Sequence, residues 1–233
     1  GCSMQCAFCA TGQAGFERNL VPGEIADQVL LAQNDMGRRV TNIVGMGQGE
    51  PFLNYRNVLA ALRILNDPQG LAIGARHISI STCGVIEGIE RFSHEPEQFT
   101  LAVSLHAARQ STRDLLMPRV ARYKLPDLKQ ALMRYVKKTN RRVTLEYVMI
   151  DNVNDTDRDL EALNAFCSDL LCHVNLIPIN AVEGSPFQPS DPLVLDQWVQ
   201  SIQSHGKEAT VRDSRGSDID GACGQLKRTK CFT

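Results

Sequence analysis

No stretch of this 233-residue chain approaches the roughly 18 consecutive apolar residues of a membrane span, and nothing in it resembles a signal peptide. A membrane role therefore has no support, and the expected location is the cytoplasm, or an organelle if a targeting segment has been trimmed away. An excess of either charge is missing too, with 25 Lys and Arg against 26 Asp and Glu. A nucleic-acid partner would have to be met by a local basic surface rather than by overall attraction. No low-complexity tract or hinge-like linker divides the chain, so residues 1–233 are read as one catalytic core of one sizeable domain. The eight cysteines, without a secretory signal, fit a reducing compartment in which thiols serve metals and chemistry rather than structural bridges.

Three of those cysteines, Cys2, Cys6 and Cys9, crowd the first nine residues, GCSMQCAFC. As thiolates they can hold three irons of a four-iron cluster, leaving the fourth open to a ligand that is not protein. A structural zinc site is the alternative. It usually closes its tetrahedron with a second pair of Cys or His residues, and no matching pair exists here. Of the remaining cysteines, only Cys167 and Cys172 lie close together in sequence, at a spacing typical of a helix and its exit.

Downstream, strands and helices alternate. Helical spacing marks Ile25, Val29 and Ala32, then Val58, Leu62 and Leu65, then Leu128, Leu132 and Tyr135. The same spacing recurs at Leu160, Leu163, Cys167 and Leu170, and at Leu195, Trp198, Val199 and Ile202, while a shorter helix is expected near Val85 to Phe92. Between them, Thr41 to Met46 reads as a buried strand. Further strands are expected at His77 to Thr82, Thr100 to Leu105, Arg142 to Ile150 and Val174 to Ile179, with a short extended piece at Ala209 to Arg212. The alternation predicts an α/β fold with a parallel sheet curved into an incomplete (β/α) barrel.

In such barrels the working residues stand at the carboxyl ends of the strands. Gly47 to Asn54 (GQGEPFLN) lacks the G-x-G-x-x-G spacing of a dinucleotide site. Its glycines allow close backbone approach, and Glu50 offers a carboxylate for a ligand's ammonium group. A plain strand-to-helix connection is the other reading. Ser81 to Gly84 and Ser104 to His106 place hydroxyls and backbone groups at two further strand ends, where Ser and Thr are also ordinary. His106 reads equally as a satisfied polar residue and is not expected to ligate iron. Asn180, after LIPI, can donate and accept at an adenine edge. Near the tail, Cys223 sits between Ala222 and Gly224 with no apolar flank to bury it, which favours a reactive thiol over a packed one.

Taken in order, CSMQCAFC, GEPFLN, STCG, SLHA, EYVMIDNVND, NLIPIN and ACGQL resemble the radical S-adenosylmethionine methyltransferases that modify carbon 2 of adenosine in ribosomal and transfer RNA. The resemblance runs from Gly1 to Leu226. It implies a 4Fe-4S cluster on Cys2, Cys6 and Cys9, and S-adenosylmethionine contacted by Gly49, Glu50, Ser81, Ser104, Leu105, His106 and Asn180. It also implies a methyl-carrying Cys223, and an electron donor such as flavodoxin or ferredoxin serving a monomeric enzyme. Carbon 2 of adenine is electron-poor and will not attack a sulfonium methyl group, so the family uses a radical route. One cofactor molecule methylates the thiolate, and a second yields a deoxyadenosyl radical that takes hydrogen from that methyl group. The sister class that methylates carbon 8 shares these motifs.

In this family the cluster loop follows the first strand, so that strand, together with a cysteine needed to release product, is expected upstream of Gly1. Gln48 departs from the methionine that many relatives carry there. Two basic stretches, Arg109 to Arg122 with Arg113, Arg119 and Arg122, and the tail Lys227, Arg228 and Lys230, are candidate phosphate-facing surfaces.

Overall fold

The computed structural model describes residues 1–180, 184–212 and 224–226. Six strands form one sheet in consecutive order: β1 (Ile43–Gly45), β2 (Ile78–Thr82), β3 (Thr100–Ser104), β4 (Val143–Met149), β5 (Cys172–Pro178) and β6 (Glu208–Val211). Every neighbouring pair is parallel. The helices are α1 (Ala10–Gln13), α2 (Pro22–Met36), α3 (Tyr55–Asn66), α4 (Ile86–Phe92), α5 (Gln110–Leu116), α6 (Leu125–Thr139), α7 (Asp157–Cys167) and α8 (Pro192–Ser204). At least one helix separates each pair of consecutive strands, as parallel pairing requires. This is the α/β partial-barrel architecture expected from the sequence.

The two faces of the sheet differ sharply in chemistry. The register sets Ser79 beside Thr100, and Ser104 beside Glu146, Asn175 and Thr210, along one face. On the other face, Ile80, Leu101, Val103, Leu145, Tyr147, Val174 and Leu176 are all 3% exposed or less. Fully burying such an aliphatic side chain contributes roughly 1.5–3 kcal/mol, so the helix-covered face carries the stability. α3 adds Leu62 and Leu65, α6 adds Leu128, Leu132 and Tyr135, and α8 packs Trp198 against Tyr147 with ring centroids 5.3 Å apart. The polar face is left to bind.

Helix boundaries follow local chemistry. Gly37 (φ 60°) ends α2, and Asn140 (φ 52°) ends α6 while donating its N–H to the carbonyl of Val136. Asp191 begins α8 by accepting from the Leu193 amide at 2.8 Å, with Pro192 at the first helical position. Thr156 accepts from the Asp159 amide at the start of α7.

Two expectations need correction. Thr41 to Met46 was expected as a buried strand, yet β1 covers only three residues, pairs with β2 alone among the described residues, and leaves Val44 56% exposed. Apolar composition reports affinity for a core but not whether a neighbour supplies one. Beside β1 lies a cavity of about 910 Å³ lined by apolar side chains of α2, α3 and β1, including Ile25, Val29, Val44 and Val58. The second correction concerns Arg113, expected on a basic surface but 1% exposed. Among the described residues no helix is long and apolar enough to cross a membrane.

A single glycine sets how closely the turn at Pro51–Asn54 approaches the sheet. Gly88 in α4 faces Phe52, and a β-carbon there would stand 2.5 Å from the Phe52 ring. Gly88→Ala should therefore destabilise the chain by about 1–3 kcal/mol despite the higher helix propensity of alanine. Gly23→Ala, with no atom within 4 Å of the added carbon, should be neutral or mildly stabilising. Urea denaturation midpoints of the two variants check the contrast, and equal midpoints would refute the steric account.

Candidate active site

The cysteine loop is anchored to the segment that follows it and to the end of α5. Cys2 donates its amide to the Gly15 carbonyl at 2.9 Å, and Ala7 donates to the Leu116 carbonyl at 2.9 Å. Cys9 closes a turn on the Cys6 carbonyl at 3.1 Å and leads directly into α1. Gly12 lets α1 lie beneath the loop, since a β-carbon there would stand 3.0 Å from the Cys6 amide nitrogen. The loop therefore presents Cys2 and Cys6, each 8% exposed, and the half-buried Cys9 to one cavity at the carboxyl end of the sheet.

That cavity is also lined by Gly49, Glu50, Ser81, Cys83, Ser104 and His106, so most of the residues singled out in sequence converge. Leu105 is fully buried, its amide donating to the Glu146 carbonyl at 3.0 Å and its carbonyl accepting from the Ala107 amide at 2.7 Å. Asn180 is half-buried two residues beyond β5 at the same end of the sheet. Neither belongs to the cavity wall formed by the described residues. Cys223 lies outside the described residues, as do Lys227, Arg228 and Lys230. Gly224, its sequence neighbour, lines the cavity and accepts a 2.8 Å hydrogen bond from the Ala10 amide, while Thr11 donates its hydroxyl to the Leu226 carbonyl. Residues more than two hundred positions apart in sequence thus share one wall.

Glu50 is 7% exposed, and its carboxylate ties its own turn to the end of β2. Oε1 accepts from the Phe52 amide at 2.9 Å and the Thr82 hydroxyl at 2.8 Å, and Oε2 accepts from the Cys83 amide at 2.6 Å. Burial pushes its pKa up, while these three donors and the Cys83 thiol beside them pull it down. An ionised carboxylate offers about four acceptor positions, most of which are filled within the protein. Gly49, at φ 97°, supplies the left-handed step before it, and a β-carbon there would approach the Gly1 carbonyl at 3.4 Å.

His106 has a defined tautomer. Its Nδ1 accepts the Val148 amide hydrogen at 3.0 Å, so the proton of the neutral ring sits on Nε2. Burial, aided by the nearby Arg113 charge, depresses its pKa to about 3. Its backbone is held at φ 55° by Asn154, which donates from Nδ2 to the His106 carbonyl at 2.7 Å and to the Val148 carbonyl at 2.6 Å. Phe8 packs edge-on against the ring with centroids 4.9 Å apart. Nearby, the hydroxyls of Ser81 and Ser104 stand 3.3 Å apart on adjacent strands. The site therefore offers neutral donors and hydroxyls beside two buried carboxylates, Glu50 and Glu146.

The thiols suit a multi-iron group. Burial, and then repulsion from Cys6, Cys9 and Glu50, push the Cys2 thiol up, whereas hydrogen bonding from Cys83 holds Cys6 down. Cys83 keeps its proton and donates it towards Cys6. Among the described residues, no three His, Cys, Asp or Glu side chains gather as the ligands of a single ion.

The profile of the radical SAM superfamily matches residues 1–163. The chain belongs to the radical SAM superfamily. Among curated relatives, a "Probable dual-specificity RNA methyltransferase RlmN" from Moorella thermoacetica is 48% identical over 232 residues, covering 97% of this chain and 66% of that protein. One of the same name from Alkaliphilus metalliredigens is 45% identical over 228 residues, covering 98% of this chain and 65% of its own length. The chain thus spans just under two thirds of these relatives. A crystal structure of a radical SAM methyltransferase from Sphaerobacter thermophilus superposes with a TM-score of 0.94 at 47% identity, over 97% of this chain and 67% of that one. SuiB from Streptococcus suis, solved with S-adenosylmethionine, shares the fold at a TM-score of 0.65 and 16% identity.

Sequence reasoning missed two members of this radical SAM site. Glu146, 4% exposed on β4, lines the cavity, accepts from Asn175 Nδ2 at 2.9 Å and faces Arg212 Nη1 at 3.9 Å. Burial pushes its pKa up. The only sequence signal was an acid inside an otherwise apolar run, TLEYVMI. Arg212, which also lines the cavity, follows β6 and carried no signal.

The depressed pKa of His106 has a signed consequence. The unfolded chain binds a proton at this position below a pH of about 6.5, and the folded chain does not until about pH 3. Stability should therefore fall on acidification through that window, by up to about 1.4 kcal/mol per pH unit from this residue. Glu50 and Glu146, whose pKa values are raised, act in the opposite sense. Replacing His106 with asparagine, which tolerates positive φ, should remove only the histidine's share. Urea denaturation between pH 4 and pH 7 measures it, on the order of the window above. Parallel stability curves for the two proteins would contradict the assignment.

Proposed function

We propose that this chain is the catalytic core of a radical S-adenosylmethionine methyltransferase that modifies carbon 2 of adenosine in ribosomal and transfer RNA. The observation that carries the reading is the shared wall. Gly224, next in sequence to Cys223, lines the cavity that also holds Cys2, Cys6 and Cys9. The similarity to proteins named dual-specificity RNA methyltransferase RlmN supports the choice of substrate.

In this reading Cys2, Cys6 and Cys9 hold a 4Fe-4S cluster, served by a donor of the flavodoxin or ferredoxin class. The cluster and S-adenosylmethionine together supply a one-electron reductive cleavage and so a carbon-centred oxidant, chemistry that belongs to the cofactors. The protein binds and aims. Glu50 takes the ligand's ammonium group. Ser81 and Ser104 bond ribose hydroxyls from neighbouring strands, and the Nε2–H of His106 donates to an acceptor without bringing a charge into the site. Gly49 lets the backbone close on the ligand, with Leu105 contributing backbone and Asn180 reading the adenine edge. Cys223 acts as the nucleophile towards a sulfonium methyl group, a reaction suited to a thiolate. Holding thiol, cofactor and base together accounts for the protein's share of catalysis.

The test is direct. The chain is expressed and reconstituted anaerobically with iron and sulfide, then incubated with S-adenosylmethionine. Mass spectrometry of the tryptic peptide containing Cys223 should find a methyl group on that residue, and Cys223→Ala should abolish the mark. With the full-length protein, nuclease digestion of treated RNA should release 2-methyladenosine. Absence of any methyl on Cys223 would overturn the mechanism, and release of 8-methyladenosine would overturn the regiochemistry.

A further inference from the structure

The sequence of α5, QSTRDLL, gives no reason to bury a cation, yet Arg113 is among the most deeply enclosed side chains in the molecule. Its Nη2 donates to the Cys83 carbonyl at 2.7 Å. Among the described residues its Nε and Nη1, both buried, have no hydrogen-bond partner. Entry depends on Gly84, where a β-carbon would stand 3.1 Å from Nη2 and where φ is 95°. The same segment grips the cluster loop. Leu116, at the end of α5, accepts from Ala7, and Arg119 donates from Nε to Gln5 Oε1 at 2.7 Å.

A guanidinium remains charged even when buried, and enclosing one with two open donors is costly unless negative charge lies close by. Of the acidic groups acting on Arg113, Cys83 keeps its proton, which leaves Cys6 and Asp114 to carry negative charge. Asp114 is already occupied, accepting from Gln110 Nε2 at 2.6 Å and facing Lys124 Nζ at 3.7 Å. The thiol side remains. Three thiolates around a 4Fe-4S core leave a net negative group, and reduction adds one more electron to it. A fixed cation in a poorly screened interior favours the more negative state, and net charge and hydrogen bonding near the sulfurs are levers on cluster potential.

We propose that Arg113 is the fixed countercharge of the cluster, a positioning residue that raises the cluster's reduction potential and so eases delivery of one electron from an external low-potential donor. No bond is made or broken in that step. The inference rests on Cys2, Cys6 and Cys9 holding the cluster, and goes beyond it by assigning how its potential is set.

The experiment compares the reconstituted wild-type chain with Arg113→Lys, Arg113→Met and Arg113→Gln. Each is assayed for iron and acid-labile sulfide, checked by circular dichroism, and titrated anaerobically with mediators while the reduced cluster is followed by electron paramagnetic resonance. The Met and Gln chains should hold as much iron as wild type but titrate at a distinctly more negative potential, while Lys stays near wild type. Gln keeps a donor for the Cys83 carbonyl without the charge, so it carries the test if Met does not fold. A neutral variant with full iron and an unshifted potential overturns the proposal, as does a Lys shift equal to that of Gln. A wild-type chain that binds no iron would instead defeat the cluster assignment itself.

Discussion

The site depends on one buried carboxylate. Glu50 binds the amide of Phe52, the hydroxyl of Thr82 and the amide of Cys83. It thereby joins the loop after β1 to the end of β2. Removing a carboxylate from water is costly, and three donors at 2.6–2.9 Å offset that cost only while the surrounding backbone keeps its shape. The group proposed to meet a ligand is thus also a structural tie. The turn at Pro51–Asn54, the close approach of Phe52 to Gly88 and the left-handed backbone of Gly49 all follow from the need to bring those donors to one point.

Around that tie the fold separates stability from chemistry by strand parity. Side chains pointing to the helices are aliphatic or aromatic and exclude water. Those pointing inwards, Ser79, Ser81, Ser104, Glu146 and Asn175, are linked to polar neighbours across the strands. A register slip of one residue would exchange the two sets and place hydroxyls and a carboxylate under the helices. The same parity that builds the core therefore specifies where polar groups can meet a substrate.

The electrostatic pattern of the site is unusual for its lack of free charge. His106 is locked neutral, Glu50 has most of its acceptor capacity filled, and Glu146 is held by Asn175 and faces Arg212. Arg113 is the exception, a cation enclosed behind the thiols. In a poorly screened interior each such charge is weakly screened, so the few that are present decide how the cysteine-lined end behaves.

Much of this could be read from the residues alone. Cys2, Cys6 and Cys9 declare their chemistry because thiol spacing within one loop is a local property. The strand and helix alternation is legible because periodicity reports which side chains share a face, and Gly49 and Glu50 stand out as breaks in it. What lay beyond reach depended on contacts between distant segments. Whether the strand at residues 43–45 is central or an edge depends on what stands beside it. Arg113 reads as surface because its composition is that of a solvated helix, and only the packing of α5 against the loop after β2 and the cysteine loop encloses it. Glu146 looked like a strand residue because its meeting with Asn175 and Arg212 needs β4, β5 and the end of β6 side by side. Local chemistry is written in sequence, whereas burial and charge pairing are properties of the assembled chain, since they depend on who the neighbours are.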